Sequence, residues 1–274
     1  MLLAALNIPF DENLCDTRAF TACIEAEVAS REFDVLVLPS QPSLVSPKTH
    51  ESRMHMERST RALIRWLADL SARKHALIVC GTVEPAKKQV LSRTALAAFD
   101  GQLVARHVKF PEGQSLGRYT SITKYVTIVD LPHLPQQAAI ALDEDLWCPI
   151  PLMAVTSSCM CLVSCLSASS RLLARARSIA VEFGVFVVLS AYESAERGDF
   201  ARCRSTILTP AGNEICQGTG TSSLLVSEIP DIPVWTETKH RCDFQCKVRR
   251  QSEADGWHRV GCDPLNERSG FYVP

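Results

Sequence analysis

Short apolar runs and amphipathic segments alternate through most of the chain. Each apolar run is bounded by Pro, Gly, Asp or Ser, which is typical of buried β-strands that end in turns. The runs are "LLAALNI", "DVLVLPS", "ALIVCGTV", "TALAAFD", "QLVARHVK", "AAIALD", "CLVSCLS", "VFVVLSA" and "RSTILTP". Acidic residues follow the first run closely, and this favours a first strand over a signal peptide.

Helices separate several of these predicted strands. Apolar residues at helical spacing predict a helix from Met54 to Lys74 and another from Arg171 to Phe183. The apolar face of the first helix contains Leu63, Ile64, Leu67 and Leu70. "FDGQL" and "TPAGNEI" carry residues that supply the positive φ angles of tight hairpins. Together these elements predict a mixed α/β fold, with two layers of strands covered by helices.

Composition excludes several classes of protein. The formal net charge of -1 and the absence of a dense Lys/Arg block argue against a nucleic-acid partner. No apolar run approaches the ~20 residues that a membrane span requires, so we expect no membrane partner. The 12 cysteines are scattered through apolar segments of a large chain, which favours buried, reduced thiols over a disulfide framework. We therefore expect a cytoplasmic protein.

The chain shows no linker, repeat or low-complexity tract before its last part. We expect one domain over residues 1–229. Residues 230–274 are polar and irregular, and this predicts a C-terminal extension packed on the body or on a partner subunit.

Six segments in collinear order resemble the carbon–nitrogen hydrolase (nitrilase) superfamily. They are "DVLVLPS", "VARHVKFP", "AIALDEDLW", "LVSCLSAS", "RARSIAVEFGVFVVLSAY" and "RSTILTPAGNEI", and the resemblance covers roughly residues 1–226. The chain looks closest to the glutaminase domains of NAD synthetases, because of "EDLW" and the Leu-Ser-Ala-Ser turn. The resemblance implies a four-layer α-β-β-α sandwich.

Members of that family use a Glu base, a Lys and a Cys nucleophile, often with a second Glu. Carried over by position, the Lys matches Lys109, but Ser40 stands at the base position and Asp143 at the nucleophile position. The second Glu would lie near Gly117 and Arg118. A hydroxyl is not a general base near neutral pH, and a carboxylate attacks amides far less readily than a thiolate does. The resemblance therefore implies a degenerate site without thiol-based amidase activity.

Asp143 has three interpretations. Without the two Glu residues a buried Lys109 would lack an anionic partner, so we favour Asp143 as its ion-pair partner. Alternatively, Asp143 tolerates a solvent-filled, vestigial pocket. As a third interpretation, Asp143 is a general base that activates water, with Lys109 as the electrophile.

Other candidate pocket residues surround these positions. Glu144 and Trp147 follow Asp143 as family-like residues. Cys148 comes just after them, where a structural thiol is favoured over a shifted nucleophile. Ser167 and Ser169 either face the pocket or cap the following helix.

We expect no cofactor and no metal. The tail carries Cys242, Cys246, His258 and Cys262, whose spacing resembles that of metal ligands. These residues lack a tight C-x-x-C knuckle, so we favour unrelated surface or interface roles.

The resemblance also implies an assembly. Members of the family commonly pair about a two-fold axis through their helices, and we expect a homodimer here. Large aromatic residues in the tail would be buried by such a partner. They are Trp235, Phe244, Trp257, Phe271 and Tyr272.

Two functions remain in contention. In the first, which we favour, the protein is a catalytically silent subunit that binds a small molecule or a protein partner, or acts as a scaffold. In the second, it hydrolyses a small amide or another C–N bond by altered chemistry. A filled site would favour the first function, and an open cavity beside Lys109 and Asp143 the second.

Overall fold

The structure is a computed structural model. It describes residues 1–9, 11–42, 50–85, 91–109, 127–132, 135–156, 158–167, 169–193, 204–217 and 223–229. The predicted extension over residues 230–274 lies outside these ranges, as do Gly117, Arg118 and the cysteines and histidine of the tail.

Twelve strands form two sheets within the described residues. The first sheet contains β1 (Leu2–Pro9), β2 (Val35–Leu38), β3 (Leu77–Pro85), β4 (Leu91–Phe99), β5 (Gln102–Val108) and β12 (Ser223–Glu228). The second sheet contains β6 (Thr127–Asp130), β7 (Gln137–Leu142), β8 (Met160–Ser167), β9 (Phe186–Glu193), β10 (Thr206–Leu208) and β11 (Glu214–Gln217). The two sheets join where β1 pairs with β9 at Ile8 and Tyr192.

The strand order is β5-β4-β3-β2-β1-β9-β8-β7-β6, with β12 on β1 and the β10–β11 hairpin on β9. Parallel pairs β1–β2, β2–β3, β7–β8 and β8–β9 form the centre of each sheet. Parallel strands need crossover connections, and the helices between these strands supply them.

Four helices cover the outer faces of the sheets. Helices α1 (Thr17–Val28) and α2 (His50–Lys74) pack on the first sheet, and α3 (Pro149–Thr156) and α4 (Ser170–Phe183) pack on the second. The predicted apolar face of α2 is confirmed, because Leu63, Leu67 and Leu70 are fully buried. The layers are therefore helix, sheet, sheet and helix, and the predicted α-β-β-α sandwich is confirmed.

The inner faces of the two sheets enclose one apolar core. Alternate residues of each strand point into it, including Val37 and Val79 from the first sheet and Ile140 and Leu162 from the second. Several buried polar side chains lie near the ends of these strands, and the candidate site lies there.

Two predicted hairpins have the expected turns. Asp100 and Gly101 have φ angles of 48° and 80° between β4 and β5. Gly212, with a φ of 80°, serves the β10–β11 hairpin.

Some elements were not predicted from the sequence. They are α1, the short strand β6 and the strand β12. Helix α2 begins at His50, one turn before the predicted Met54, and α4 begins at Ser170.

Candidate active site

The candidate site is built from residues at the ends of four strands. Ser40 follows β2, Lys109 follows β5 and Asp143 follows β7, while Arg93 lies near the start of antiparallel β4. Arg93 is two residues before Ala95, whose side chain faces the space between the sheets. Strand alternation therefore turns Arg93 toward the second sheet. The backbone N–H of Lys109 donates to the carbonyl of Arg93 at 2.9 Å, which places these two residues side by side.

Ser40 occupies a crowded, buried corner between the sheets. Its Oγ lies 3.2 Å from both the carbonyl oxygen and the Oγ of Ser164 on β8. The Ser164 hydroxyl donates to the carbonyl of Leu38 at 2.7 Å and accepts the N–H of Gly81 at 2.7 Å. Because the only proton of that hydroxyl is directed to Leu38, Ser40 donates to Ser164. Gly81 is required here, since a Cβ on it would lie 2.7 Å from Cβ of Ser40.

Arg93 was not anticipated as a site residue. Its Nη1 lies 2.5 Å from Oδ1 of Asp143 and 2.6 Å from Oε2 of Glu144. Its Nη2 lies 3.4 Å from Oγ of Ser40. Burial acts to lower the pKa of Arg93, but the charges of Asp143 and Glu144 outweigh it and raise that pKa. Arg93 is therefore a permanent cation in the middle of the predicted site.

Lys109 pairs with a different acid from the predicted one. Its Nζ lies 2.9 Å from Oε1 of Glu144, whereas the cation that the structure places on Asp143 is Arg93. The expected Lys109–Asp143 pair is thus corrected, because β4 supplies a second cation that reaches Asp143 first. Burial raises the pKa of Asp143, and the charge of Arg93 acts to lower it.

A buried contact between an acid and a histidine lies beside these two ion pairs. Nε2 of His107 on β5 is 2.7 Å from Oδ2 of Asp145, and both side chains are fully buried. The other ring nitrogen, Nδ1, lies 3.1 Å from Oγ1 of Thr127 on β6. The same Asp145 oxygen accepts the backbone N–H of Leu142 at 2.9 Å, which fixes the end of β7.

The three consecutive acids begin a 3₁₀ turn, Asp143–Trp147, which we call the acidic turn. Each acid contacts a base from the first sheet: Asp143 contacts Arg93, Glu144 contacts Lys109 and Arg93, and Asp145 contacts His107. We call these contacts the three-acid network. The carboxylates at this strand end therefore connect the two sheets, with Asp145 fully buried, Asp143 largely buried and Glu144 partly exposed.

The other predicted pocket residues lie at the edge of the site or outside it. Trp147 is 46% exposed, and Arg171 lies over its ring at 4.8 Å, so this side chain belongs to the surface. Cys148 is partly buried, with its Sγ 3.8 Å from the carbonyl of Glu144. Ser169 is exposed and accepts the N–H of Leu172 at 3.1 Å, which makes it the N-cap of α4. Ser167 is the last residue of β8.

Two further features bear on chemistry. Cys165 on β8 is buried next to the site, and burial raises its pKa well above the ordinary thiol value. Among the described residues, no three His, Cys, Asp or Glu side chains are grouped as a metal site.

Comparison with known proteins identifies the fold. No family model matches the sequence, and no curated protein matches it. An amidase from Nesterenkonia sp. is similar in structure, with a TM-score of 0.63, 16% identity, and coverage of 92% of this chain and 95% of that one. A cysteine-to-alanine mutant of Nesterenkonia AN1 amidase gives a TM-score of 0.65 at 15% identity, covering 92% and 96%. Nit3 of Saccharomyces cerevisiae gives 0.63 at 15% identity, covering 99% and 97%. The chain has the nitrilase fold.

The nitrilase fold bears out the architecture implied by the resemblance. At 15–16% sequence identity, these structural matches establish the fold alone. The resemblance to glutaminase domains of NAD synthetases and the degeneracy of the site stay predictions. None of the helices in the described part of this nitrilase fold is long and apolar enough to cross a membrane.

Proposed function

We propose that this protein is a catalytically silent member of the nitrilase superfamily, acting as a binding or scaffold subunit. The observation that carries the proposal is Arg93. Its guanidinium contacts Asp143, Glu144 and Ser40, so an internal cation fills the space where a substrate would meet the family-equivalent positions.

The residues at those positions also lack the required chemistry. Structures of two glutamate mutants of the Nesterenkonia amidase show acrylamide and the acetamide moiety of fluoroacetamide added to the active-site cysteine. Here the corresponding nucleophile position holds Asp143, whose carboxylate is bound to a guanidinium. Ser40 at the base position donates its only proton to Ser164, and a hydroxyl cannot hold an additional one near neutral pH.

The alternative is a hydrolase in which Asp143 activates water and Lys109 is the electrophile. Burial raises the pKa of Asp143, and a raised pKa suits a general base. However, Arg93 stabilises the ionised carboxylate at 2.5 Å and weakens it as a base, and Lys109 is engaged with Glu144. We therefore favour the silent function.

Reaction with electrophilic amides tests the proposal. The full chain is incubated with fluoroacetamide and with acrylamide, and its intact mass is measured beside the two glutamate mutants of the Nesterenkonia amidase as positive controls. We expect no adduct that depends on the folded state. A stable adduct on Cys148 that requires the folded chain and is abolished by Cys148→Ser, or release of ammonia from an amide, would overturn the proposal.

We also propose that the protein is a homodimer, with α4 at the interface. Three large apolar residues are exposed on this side of the described structure: Trp147, Val181 and Ile215. The outer face of α4 carries small residues, Ala174 and Ser178, between basic Arg171 and acidic Glu182. Two antiparallel copies of such a helix would bring opposite charges together, which supports a two-fold contact.

A cytoplasmic location remains our proposal. Cys80, Cys161 and Cys165 are buried free thiols, which supports a reducing compartment.

A further inference from the structure

We propose that Asp143, Glu144 and Ser40 form a binding site for a guanidinium or amidinium group, which the chain's own Arg93 occupies. A ligand that carries such a group would bind by displacing Arg93. This inference rests on the proposed binding function and names the chemical class of its ligand.

The contacts of Arg93 define what this site recognises. One nitrogen, Nη1, is shared by two carboxylate oxygens at 2.5 and 2.6 Å, and the second, Nη2, faces the Ser40 hydroxyl at 3.4 Å. A planar guanidinium presents two adjacent nitrogens in this fixed arrangement, whereas an ammonium is a single point donor. The site therefore favours a planar cation over a compact one.

Neighbouring residues hold the acids in place independently of Arg93. Lys109 binds Oε1 of Glu144 at 2.9 Å, on the oxygen that Arg93 does not use. The buried His107–Asp145 pair fixes the acidic turn two residues after Asp143. Because these contacts do not involve Arg93, the two carboxylates keep their positions when its side chain leaves.

Arg93 does not satisfy all of its own hydrogen-bond donors in this site. Its Nε is buried and has no hydrogen-bond partner in the described part of the chain. A buried donor without a partner is unfavourable, and its contact with Ser40 is long. A small guanidinium, which has no connection to β4, can orient all of its donors freely. A ligand can therefore satisfy the site better than the tethered side chain does.

Charge favours a cationic ligand as well. With Arg93 in place, two cations face two anions at Asp143 and Glu144. When the Arg93 side chain is displaced, Asp143 loses its cation while Lys109 stays on Glu144, so within the described residues the site has an excess negative charge. Both side chains of the Arg93–Asp143 pair are largely buried, at 14% and 13% exposure, so solvent screens this charge weakly.

The test uses the full chain with Arg93→Ala, which leaves the site empty. Methylguanidinium and methylammonium chloride are compared at equal millimolar concentration, by melting temperature and by titration calorimetry. We expect methylguanidinium to bind at least about tenfold more tightly than methylammonium, because one of its nitrogens can bond both acids while a second reaches Ser40, as Nη1 and Nη2 of Arg93 do. In Arg93→Ala with Asp143→Asn, this preference should fall to about twofold or less.

The unmodified chain should bind methylguanidinium more weakly than the Arg93→Ala variant, because Arg93 competes with it. Arg93→Gln serves as the second variant if Arg93→Ala does not fold. If neither variant folds, the comparison is made on the unmodified chain. The inference then requires methylguanidinium to raise the melting temperature of that chain more than methylammonium does. Equal effects of the two cations in whichever folded chain is measured would overturn the inference.

The failure of this inference is distinguishable from failure of the proposed function. Cation selectivity is measured without any reaction, whereas the silent function fails only if the folded chain forms a covalent adduct on Cys148 or hydrolyses an amide. A chain that is inert toward amides and does not discriminate between the cations would retain the silent function and lose the guanidinium site.

Discussion

Nη1 of Arg93 lies 2.5 Å from Oδ1 of Asp143, and this ion pair joins β4 of the first sheet to the end of β7 in the second. It is one of four contacts in which three successive acids of one turn meet bases of the opposite sheet. These contacts explain why three carboxylates are tolerated at the end of an apolar strand.

The Arg93–Asp143 pair should be important for stability. We expect Asp143→Ala to lower the free energy of unfolding by about 3 kcal/mol, because it leaves a largely buried guanidinium with only Glu144 as its anionic partner. Urea unfolding measures this change, with Asp143→Asn as the matched control that keeps a hydrogen-bond acceptor.

The double substitution Arg93→Leu with Asp143→Leu should recover much of the loss, since it removes both charges. A midpoint of unfolding that is unchanged in Asp143→Ala would show that the pair is solvated and contributes little.

Gly81 should tolerate no side chain. In Gly81→Ala the new Cβ would lie 2.7 Å from Cβ of Ser40 and 2.9 Å from Oγ of Ser164. We expect a loss of about 2 kcal/mol in the free energy of unfolding from this overpacking. Adding Ser40→Gly should restore part of it, and Ser40→Gly alone is the control. Additive effects of the two substitutions would rule out the direct contact.

His107 and Asp145 should act as positioning residues for the acidic turn. Asp145→Ala removes the partner of Nε2 of His107 and of the N–H of Leu142, and we expect a loss of about 3 kcal/mol by urea unfolding. Asp145→Asn keeps an oxygen for Leu142 and should lose less.

The positioning role has a second readout in Arg93→Ala, where Asp145→Ala should also reduce binding of methylguanidinium. If binding there is undiminished, the His107–Asp145 pair stabilises the fold without positioning the acids.

Assembly can be tested at α4. We expect the full chain to be a dimer by light scattering at micromolar concentration, and Val181→Glu to dissociate it, because a charge would be buried at the contact. Arg18→Glu, an exposed change on α1 at the opposite outer layer, is the control.

A chain that ends at Ile229 shows whether the C-terminal extension contributes to the dimer. A full chain that is monomeric would remove the dimer, and dissociation by Arg18→Glu would place the contact elsewhere.

The sequence predicted the architecture because its signals are local. Apolar runs bounded by Pro, Gly, Asp or Ser located nine strands, and the spacing of Leu63, Leu67 and Leu70 located α2. The short strand β6 contains only four residues, and strands of that length carry little periodicity.

The site was predicted less completely, because its contacts depend on tertiary placement. Ser40, Lys109 and Asp143 were found through resemblance, and the structure brings them to one region together with Glu144. Arg93 lies 50 residues before Asp143, and no spacing rule connects the two. One signal was present: strand alternation assigns Arg93 to the same inward face as Ala95 and Ala97, where a charged residue needs a partner.

The three-acid network also sets the alignment of the two sheets. Apolar contacts between sheets are non-directional, and they alone would tolerate a small slide of one sheet over the other. A slide by a single residue, ~3.3 Å, would take each ion pair of the network beyond hydrogen-bonding distance. The same side chains that fill the candidate site therefore resist shear between the halves of the sandwich.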